Sequence, residues 1–271
     1  MIHIPGVPGK INEIKEYPFS IGNLVVNALG KPTDWKGELE NLHDQTTYNR
    51  LLSIARELGA TRIFCPYPVH GTTISSSKIK TLDVSRTKRR IYREVKADGA
   101  EIDKEEAYGL ASGDCHTVAL QDPVTGKTIA IHFNRENGVD DDILSKALRH
   151  FRKGSAERLI AVITLGIDSA HFKHDWENHK HGKKNRRRTC ELIGKYGPEI
   201  VDWPLGEGKI DLRRIAARKL VEAGLLPSNI YADLFDTYFD PRFWSHRASQ
   251  TRGSAKFGEK GRNMVLVVNK G

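Results

Sequence analysis

The residues of this chain best equipped for chemistry are one thiol and two imidazoles: His70, Cys115 and His132. Cys115 and His132 stand at the outer ends of a hairpin that the sequence spells out. The β-type segments His116–Leu120 and Thr128–Phe133 flank a Pro/Gly turn at Asp122–Gly126, which folds the two ends back toward each other. His70 lies 45 residues before Cys115, in Pro66-Tyr67-Pro68-Val69-His70-Gly71, just ahead of a glycine that permits a tight turn. One sulfur and two nitrogens meeting in a cleft can hold a metal ion and leave a fourth position open to water. The same thiol beside the same imidazole can instead form a nucleophile and base pair, with Cys115 attacking and His132 taking the proton. Separations of 45 and 17 residues match no local metal motif, so convergence has to come from the fold.

The elements that must position these residues alternate between helix and strand. Leu51, Leu52, Ile54, Ala55 and Leu58 mark an amphipathic helix over Gln45–Leu58, stopped by Gly59 and carrying Asn49-Arg50 inside it. Strands are expected at Arg62–Cys65 and near Thr72–Ser75, a short helix or connection at Lys104–Leu110, and an amphipathic helix over Asp140–Arg152 with acidic residues favouring its start. A buried strand at Leu159–Leu165, a helix at Leu212–Ala223, a strand around Ile230–Leu234 and a final strand at Asn263–Val268 complete a mixed α/β (α+β) pattern without repeats. The whole of 1–271 is read as one globular domain.

The chain holds 43 Lys and Arg against 34 Asp and Glu, a net charge of +9, so polyanions are attracted non-specifically. Two clusters dominate: Lys183–Arg188, within a basic, His-rich stretch over 171–188 that reads as an exposed loop, and Arg86–Arg93, within a polar segment Lys78–Glu94. Both read as solvated faces, with nucleic acid the weaker alternative, because no recognisable nucleic-acid module accompanies them. His171 and His174 are spaced for a metal on a helix, yet no cysteine or carboxylate completes a ligand set. Three cysteines, an odd and sparse set, argue against a disulfide framework and for a reducing compartment. No run approaches the roughly 20 apolar residues of a membrane helix, and the N-terminus lacks a signal-peptide pattern, so a cytoplasmic protein without a membrane partner is expected.

Several motifs, taken together, resemble one family. Pro68-Val69-His70-Gly71, Gly113-Asp114-Cys115 with Asp122-Pro123, and Ala130-Ile131-His132 look like the successive motifs of the laccase-domain, or YfiH-type, family. Asn49-Arg50, Ile210-Asp211-Leu212, Ser245-His246-Arg247 and Gly261-Arg262 extend the ordered similarity from about Phe19 to Val268. The family was first labelled multicopper polyphenol oxidoreductase and later assigned purine nucleoside phosphorolysis. The resemblance implies a layered αββα sandwich with mixed β-sheets, the fold shared with cytotoxic necrotizing factor. It implies a zinc site of His70, Cys115 and His132, with copper as an adventitious substitute, and phosphorolysis of a purine nucleoside by phosphate, alone or with adenosine deaminase activity. It implies Asp114, Cys115 and His132 as catalytic residues and Asn49, Arg50, Arg135 and Arg247 as substrate or phosphate contacts.

The chain departs from the family after His132. In place of His-Ala-Gly-Trp-Arg-Gly stands His132-Phe133-Asn134-Arg135-Glu136-Asn137, which brings the arginine one position nearer and, in an extended segment, turns it to the other face. Two alternatives stay open. One is a protein glutamine deamidase on the same scaffold, with Cys115 as nucleophile and His132 as base; the other is a non-catalytic protein that binds a polyanion through Lys183–Arg188.

Overall fold

A computed structural model describes residues 1–76, 90–93, 95–202, 207–251 and 261–271. Strands β1 (Ile2–His3), β2 (Lys10–Ile14), β3 (Phe19–Ile21) and β4 (Leu24–Leu29) lead into helices α1 (Trp35–Glu40) and α2 (Gln45–Glu57). Next come β5 (Arg62–Phe64), β6 (Ile74–Ser76), β7 (Ile91–Tyr92), β8 (Gly99–Ile102), β9 (Glu106–Ser112), β10 (His116–Gln121) and β11 (Thr128–Phe133). A single π-helical turn at Glu136–Asp140 precedes α3 (Ile143–Leu148), β12 (Ile160–Ile163), β13 (Lys173–Asp175), α4 (Gly182–Tyr196), β14 (Val201–Asp202) and β15 (Glu207–Ile210). The chain closes with α5 (Leu212–Glu222), β16 (Ile230–Asp233), α6 (His246–Thr251) and β17 (Asn263–Asn269).

Among the described residues the strands form an eight-stranded mixed sheet, β1-β2-β16-β12-β10-β11-β8-β6, and a six-stranded mixed sheet, β3-β4-β17-β9-β5-β7, with β13-β15-β14 as a small third sheet. Side-chain alternation explains why the two large sheets stack. Ala119, Ala130 and Val162 of one sheet meet Val26, Tyr108, Leu110, Val265 and Val267 of the other in a shared core. Their neighbours Val118, Leu120, Ile129, Ile131 and Ile163 point the opposite way, onto α3, α4 and α5. Met264, Leu266, Val268 and Ile63 likewise face α1 and α2. The result is a helix–sheet–sheet–helix sandwich, so central strands such as β10 and β11 are buried on both faces along their whole length.

Local signals set most element ends. Asp44 caps α2 by accepting from the Thr47 amide at 2.8 Å, and Gly59 follows the helix with φ of 97°. Asp211 caps α5 through the amides of Arg213 and Arg214. The hairpin turn is held by Asp122, whose carboxylate takes a two-pronged contact from Arg158 at 2.6 and 2.8 Å, and this lowers its pKa to about 2.

Two expectations are corrected. Lys104–Leu110 does not form a helix: residues from Glu106 onward run as strand β9 between β5 and β17, because Ala107, Tyr108 and Leu110 alternate between two apolar layers. Gly109 is required there, since a Cβ at that position would stand 2.8 Å from Cys65 Sγ. The stretch 171–188 is not a loop throughout. β13 and the start of α4 occupy it, and the basic run lies on α4, where Arg188 is fully buried against Asp140 while Lys183, Lys184, Arg186 and Arg187 are exposed. The sequence mixes two periodicities here, with Asn185, Arg188, Thr189 and Leu192 forming the buried stripe. Most of Lys78–Glu94, including residues 86–89 of the cluster Arg86–Arg93, lies outside the described residues. No helix among the described residues is long and apolar enough to cross a membrane.

The Arg188–Asp140 pair ties α4 to the π-helical turn that follows His132, with Arg188 Nε 2.6 Å from one Asp140 oxygen. Arg188 is 2% exposed and the Asp140 side chain 30% exposed. Asp140→Asn strands a buried guanidinium and is expected to lower stability by about 3 kcal/mol in urea unfolding. Arg188→Met leaves a carboxylate that water reaches, and is expected to cost about half as much.

Candidate metal and substrate cleft

The topology gathers the site before any side chain is considered. β5, β7 and β9 run parallel in the six-stranded sheet, and β6, β8 and β10 run in a common direction in the eight-stranded sheet. The chain crosses from the first set to the second three times, after β5, after β7 and after β9, always at the same end of the sandwich. β11 runs opposite to β8 and β10, so His132 finishes at that end as well. A cleft of about 530 Å³ opens there, and His70, Asp114, Cys115, His132, Arg135 and Arg247 all line it.

Asp98, a residue whose role the sequence did not disclose, anchors two of these side chains. It is fully buried, and its carboxylate accepts the backbone amides of Val69 at 3.2 Å, His70 at 2.8 Å and Gly71 at 2.8 Å. His70 is held in the left-handed region with φ of 60°, a conformation that a non-glycine residue keeps only when its surroundings enforce it. The Asp98 carbonyl accepts the His132 amide at 2.6 Å, and its carboxylate stands 3.6 Å from His132 Nδ1. The His70 and His132 rings consequently meet edge to face with centroids 5.5 Å apart. Burial lowers the pKa of His132, opposed by Asp98, so the ring is held neutral with Nδ1 backed by a carboxylate, an arrangement suited to metal ligation through the other nitrogen. In the sequence Asp98-Gly99 reads only as a turn, because nothing local reveals that its carboxylate folds back on 69–71.

Cys115 follows the crossing loop. Burial pushes its thiol up to about 12, helped by the negative charges of Asp114 and Glu136. A metal-free Cys115 is therefore a protonated thiol at neutral pH, a poor nucleophile. Asp114 is not a free acid or base: one carboxylate oxygen accepts the Thr237 hydroxyl at 2.7 Å and the other accepts the Arg247 amide at 2.7 Å. Its carbonyl takes the Ile167 amide at 3.0 Å. Asp114 thus staples the Cys115 loop to two later segments and positions Arg247. Beneath it, His116 is fully buried with Nδ1 2.5 Å from the Thr164 carbonyl, and burial together with the Arg213 charge lowers its pKa to about 3.

The segment beyond His132 takes a form the extended expectation missed. Asn134 and Asn137 exchange side-chain-to-amide hydrogen bonds at 2.9 and 3.0 Å, and Asn137 Nδ2 donates to the His132 carbonyl at 2.8 Å. This reciprocal cap starts the π-helical turn with Arg135 already helical at φ −61° and ψ −43°. Arg135 therefore faces the cleft, not the opposite side, and is partly neutralised by Glu136 at 2.8 Å. Gly138 packs where a Cβ would fall 2.5 Å from the Phe133 ring.

Asn49 and Arg50 are not brought in. Arg50 pairs with Glu38 at 2.8 Å and lies over the Trp35 ring, while Asn49 accepts from Gln45. Cations the sequence reading missed stand in their place: Arg93, over the Tyr67 ring at 4.2 Å, and Arg262, whose guanidinium reaches His246 Nδ1 at 3.3 Å. Gly261-Arg262 matched a family segment, but only the return of β17 beside β9 shows that it borders the cleft. His171 is no solvated loop residue. It pairs with Asp236 at 2.8 Å and stacks on Tyr238 at 4.2 Å, outside the residues that line the cleft.

Among the described residues, no three His, Cys, Asp or Glu side chains stand close enough together to hold one ion. The donor chemistry nevertheless suits zinc: the His132 imidazole is backed by the buried Asp98 carboxylate, the His70 imidazole is placed by the backbone amides that the same carboxylate holds, and a thiol lines the same cleft.

Asp98→Ala removes the acceptor for three turn amides, so the amides of residues 69–71 are expected to exchange hydrogen at least tenfold faster while β10 remains protected. In metal-free native protein at pH 8, a thiol reagent is expected to modify exposed Cys190 well before Cys115, as read by peptide mapping; the reverse order would contradict a half-buried, protonated Cys115.

Comparison with known proteins places these features in a family. The architecture is shared with YlmD from Geobacillus stearothermophilus at 18% identity, covering 94% of each chain with a TM-score of 0.69. It is shared with YfiH from Bacillus licheniformis at 19% identity, covering 83% of this chain and 81% of that one with a TM-score of 0.64. Protein NMB0706 of Neisseria meningitidis aligns over 94% of this chain and 98% of its own, at 15% identity and a TM-score of 0.66. No curated protein sequence matches the chain. Residues 40–270, which include every strand that borders the cleft, match the profile described as multi-copper polyphenol oxidoreductase laccase, and the chain belongs to that family.

Proposed function

We propose that the chain is a zinc-dependent enzyme of the purine nucleoside phosphorylase type, working in the 530 Å³ cleft. The observation that carries this reading is the grouping of His70, Cys115 and His132 with the Arg247 and Arg262 guanidiniums around one opening. Zinc held by His70, Cys115 and His132 would supply Lewis acidity toward a substrate oxygen or nitrogen, and copper is an adventitious substitute for the same ligands.

In phosphorolysis a phosphate oxygen attacks the anomeric carbon of the ribose, the glycosidic C–N bond breaks, and its electron pair leaves with the purine. The chain's own tasks are to bind, orient and exclude water. Arg247 has its backbone fixed by Asp114 and its guanidinium 5.9 Å from the Phe172 ring, so its charge is presented to the cleft from a held position. Arg262 is steadied by His246, which also faces the Gln250 amide at 3.0 Å. Two guanidiniums are the natural receptor for a phosphate dianion. Tyr67, 43% exposed, offers an aromatic face on the cleft wall for a purine ring, with Arg93 behind it. Glu136, close to Arg135, is available to take a ribose hydroxyl.

The deamidase alternative needs a thiolate at Cys115 without metal, and a thiol pushed up to about 12 by burial supports that reading poorly.

Purified protein is expected to contain about one zinc per chain and to release free base from adenosine or inosine only when phosphate is supplied. Cys115→Ala should lose both the metal and the activity, whereas Arg247→Ala should keep the metal and raise the KM for phosphate roughly ten- to a hundredfold. Base release independent of phosphate would sink phosphorolysis, and ammonia release without base release would point to deamination.

A further inference from the structure

The exposed face of α4 is a concentration of positive charge that the proposed cleft chemistry does not use. Residues 178–190 contain six Lys and Arg and no Asp or Glu. Arg188 is buried in the fold against Asp140, and Arg186 stays exposed with its guanidinium 5.6 Å from the Trp176 ring. Lys180, Lys183, Lys184, Arg186 and Arg187 are all exposed, and they crowd the first two turns of the helix together with its approach. That is the wrong end for cations, because the free amides there already carry the positive pole of the helix. The first turn holds no acidic residue, and His181 gives no side-chain cap. Local neutralisation is slight: Lys184 stands 3.7 Å from an Asp140 oxygen that Arg188 already occupies, and Arg187 and Glu191 face each other at 3.6 Å with both side chains 66% exposed. Lys183, Arg186 and Arg187 share one side of the helix, followed on that side by Cys190 and Gly194, the latter with open space at its Cβ position.

We propose that this face of α4 binds the phosphate backbone of a nucleic-acid duplex without regard to base sequence. Charge complementarity selects a polyanion, and the surroundings select between polyanions. A membrane-binding helix needs a free apolar face to enter the headgroup layer. The apolar face of α4, with Leu192 and Tyr196, is buried in the core beneath the eight-stranded sheet, so no such face is available. What α4 offers is a row of cations on a rigid helix, the pattern that positions a protein on phosphates and releases counterions.

The test uses the full chain and a fluorescein-labelled 20-base-pair DNA duplex of mixed sequence, followed by anisotropy across a salt series. Binding at 50 mM salt is expected to weaken steeply as salt rises. The variant Lys183→Gln/Lys184→Gln/Arg186→Gln/Arg187→Gln is expected to bind at least tenfold more weakly, and to flatten the slope of log affinity against log salt by about 3 to 4, at roughly 0.9 per phosphate contact. All four side chains are exposed, so its thermal midpoint should match the parent. A second variant, Lys127→Gln/Lys146→Gln/Arg149→Gln, neutralises a separate cationic groove and should leave binding unchanged. The proposal is overturned by absence of duplex binding at 50 mM salt, by an unchanged slope in the α4 variant, by loss of binding in the second variant instead, or by equal or tighter binding to phosphatidylserine vesicles.

Discussion

The buried carboxylate of Asp98 is the interaction on which the candidate site depends. A full charge in a dry interior is costly unless it is surrounded by donors. Asp98 satisfies this by drawing in three consecutive amides of the His70 turn, which keeps His70 in a backbone conformation it would not choose alone. Its own carbonyl and carboxylate meet His132 on the other side. One residue thereby couples a loop leaving the six-stranded sheet to a strand end in the eight-stranded sheet, and sets the mutual placement of two imidazoles.

Around that anchor the cleft is assembled from groups whose charges are already spoken for. Asp114 is spent on Thr237 and the Arg247 backbone, and Arg135 leans on Glu136. The guanidiniums of Arg247 and Arg262 have no carboxylate partner among the described residues, so the opening keeps an excess of positive potential where Cys115 and the two histidines gather. Such an opening attracts anions in general, while burial and the charges of Asp114 and Glu136 outweigh Arg262 at Cys115 and keep its thiol protonated without a metal. The π-helical turn after His132, built on reciprocal Asn134 and Asn137 bonds, takes the place of the family's glycine- and tryptophan-bearing segment and aims Arg135 inward by a different backbone path.

The basic stretch shows how one short run serves two purposes. Arg188 is a structural residue, buried and bound to Asp140, and links α4 to the turn that carries Arg135. Its neighbours on the opposite side of the helix make no comparable contacts and remain on the surface. Helical periodicity separates the two roles, with about 100° between successive residues deciding which arginine enters the core.

The sequence by itself determined the local elements and the identity of the reactive groups. The hairpin of β10 and β11, the helices starting at Gln45 and Leu212, and the final strand were legible because capping residues, glycine stops and apolar periodicity act within a few residues of one another. The ordered motifs likewise marked His70, Cys115 and His132, which the fold brings to one cleft. Strand β9 was misread because small residues such as Ala107 and Gly109 carry little intrinsic preference; they become a strand only when two apolar layers and the Cys65 side chain press on them. Asp98 and Arg262 were not read as site residues, and Asn49 and Arg50 were, because proximity in this fold is set by three chain crossings between stacked sheets. Those crossings are long-range consequences of sheet packing, and no local pattern of residues encodes which carboxylate will turn back onto which loop.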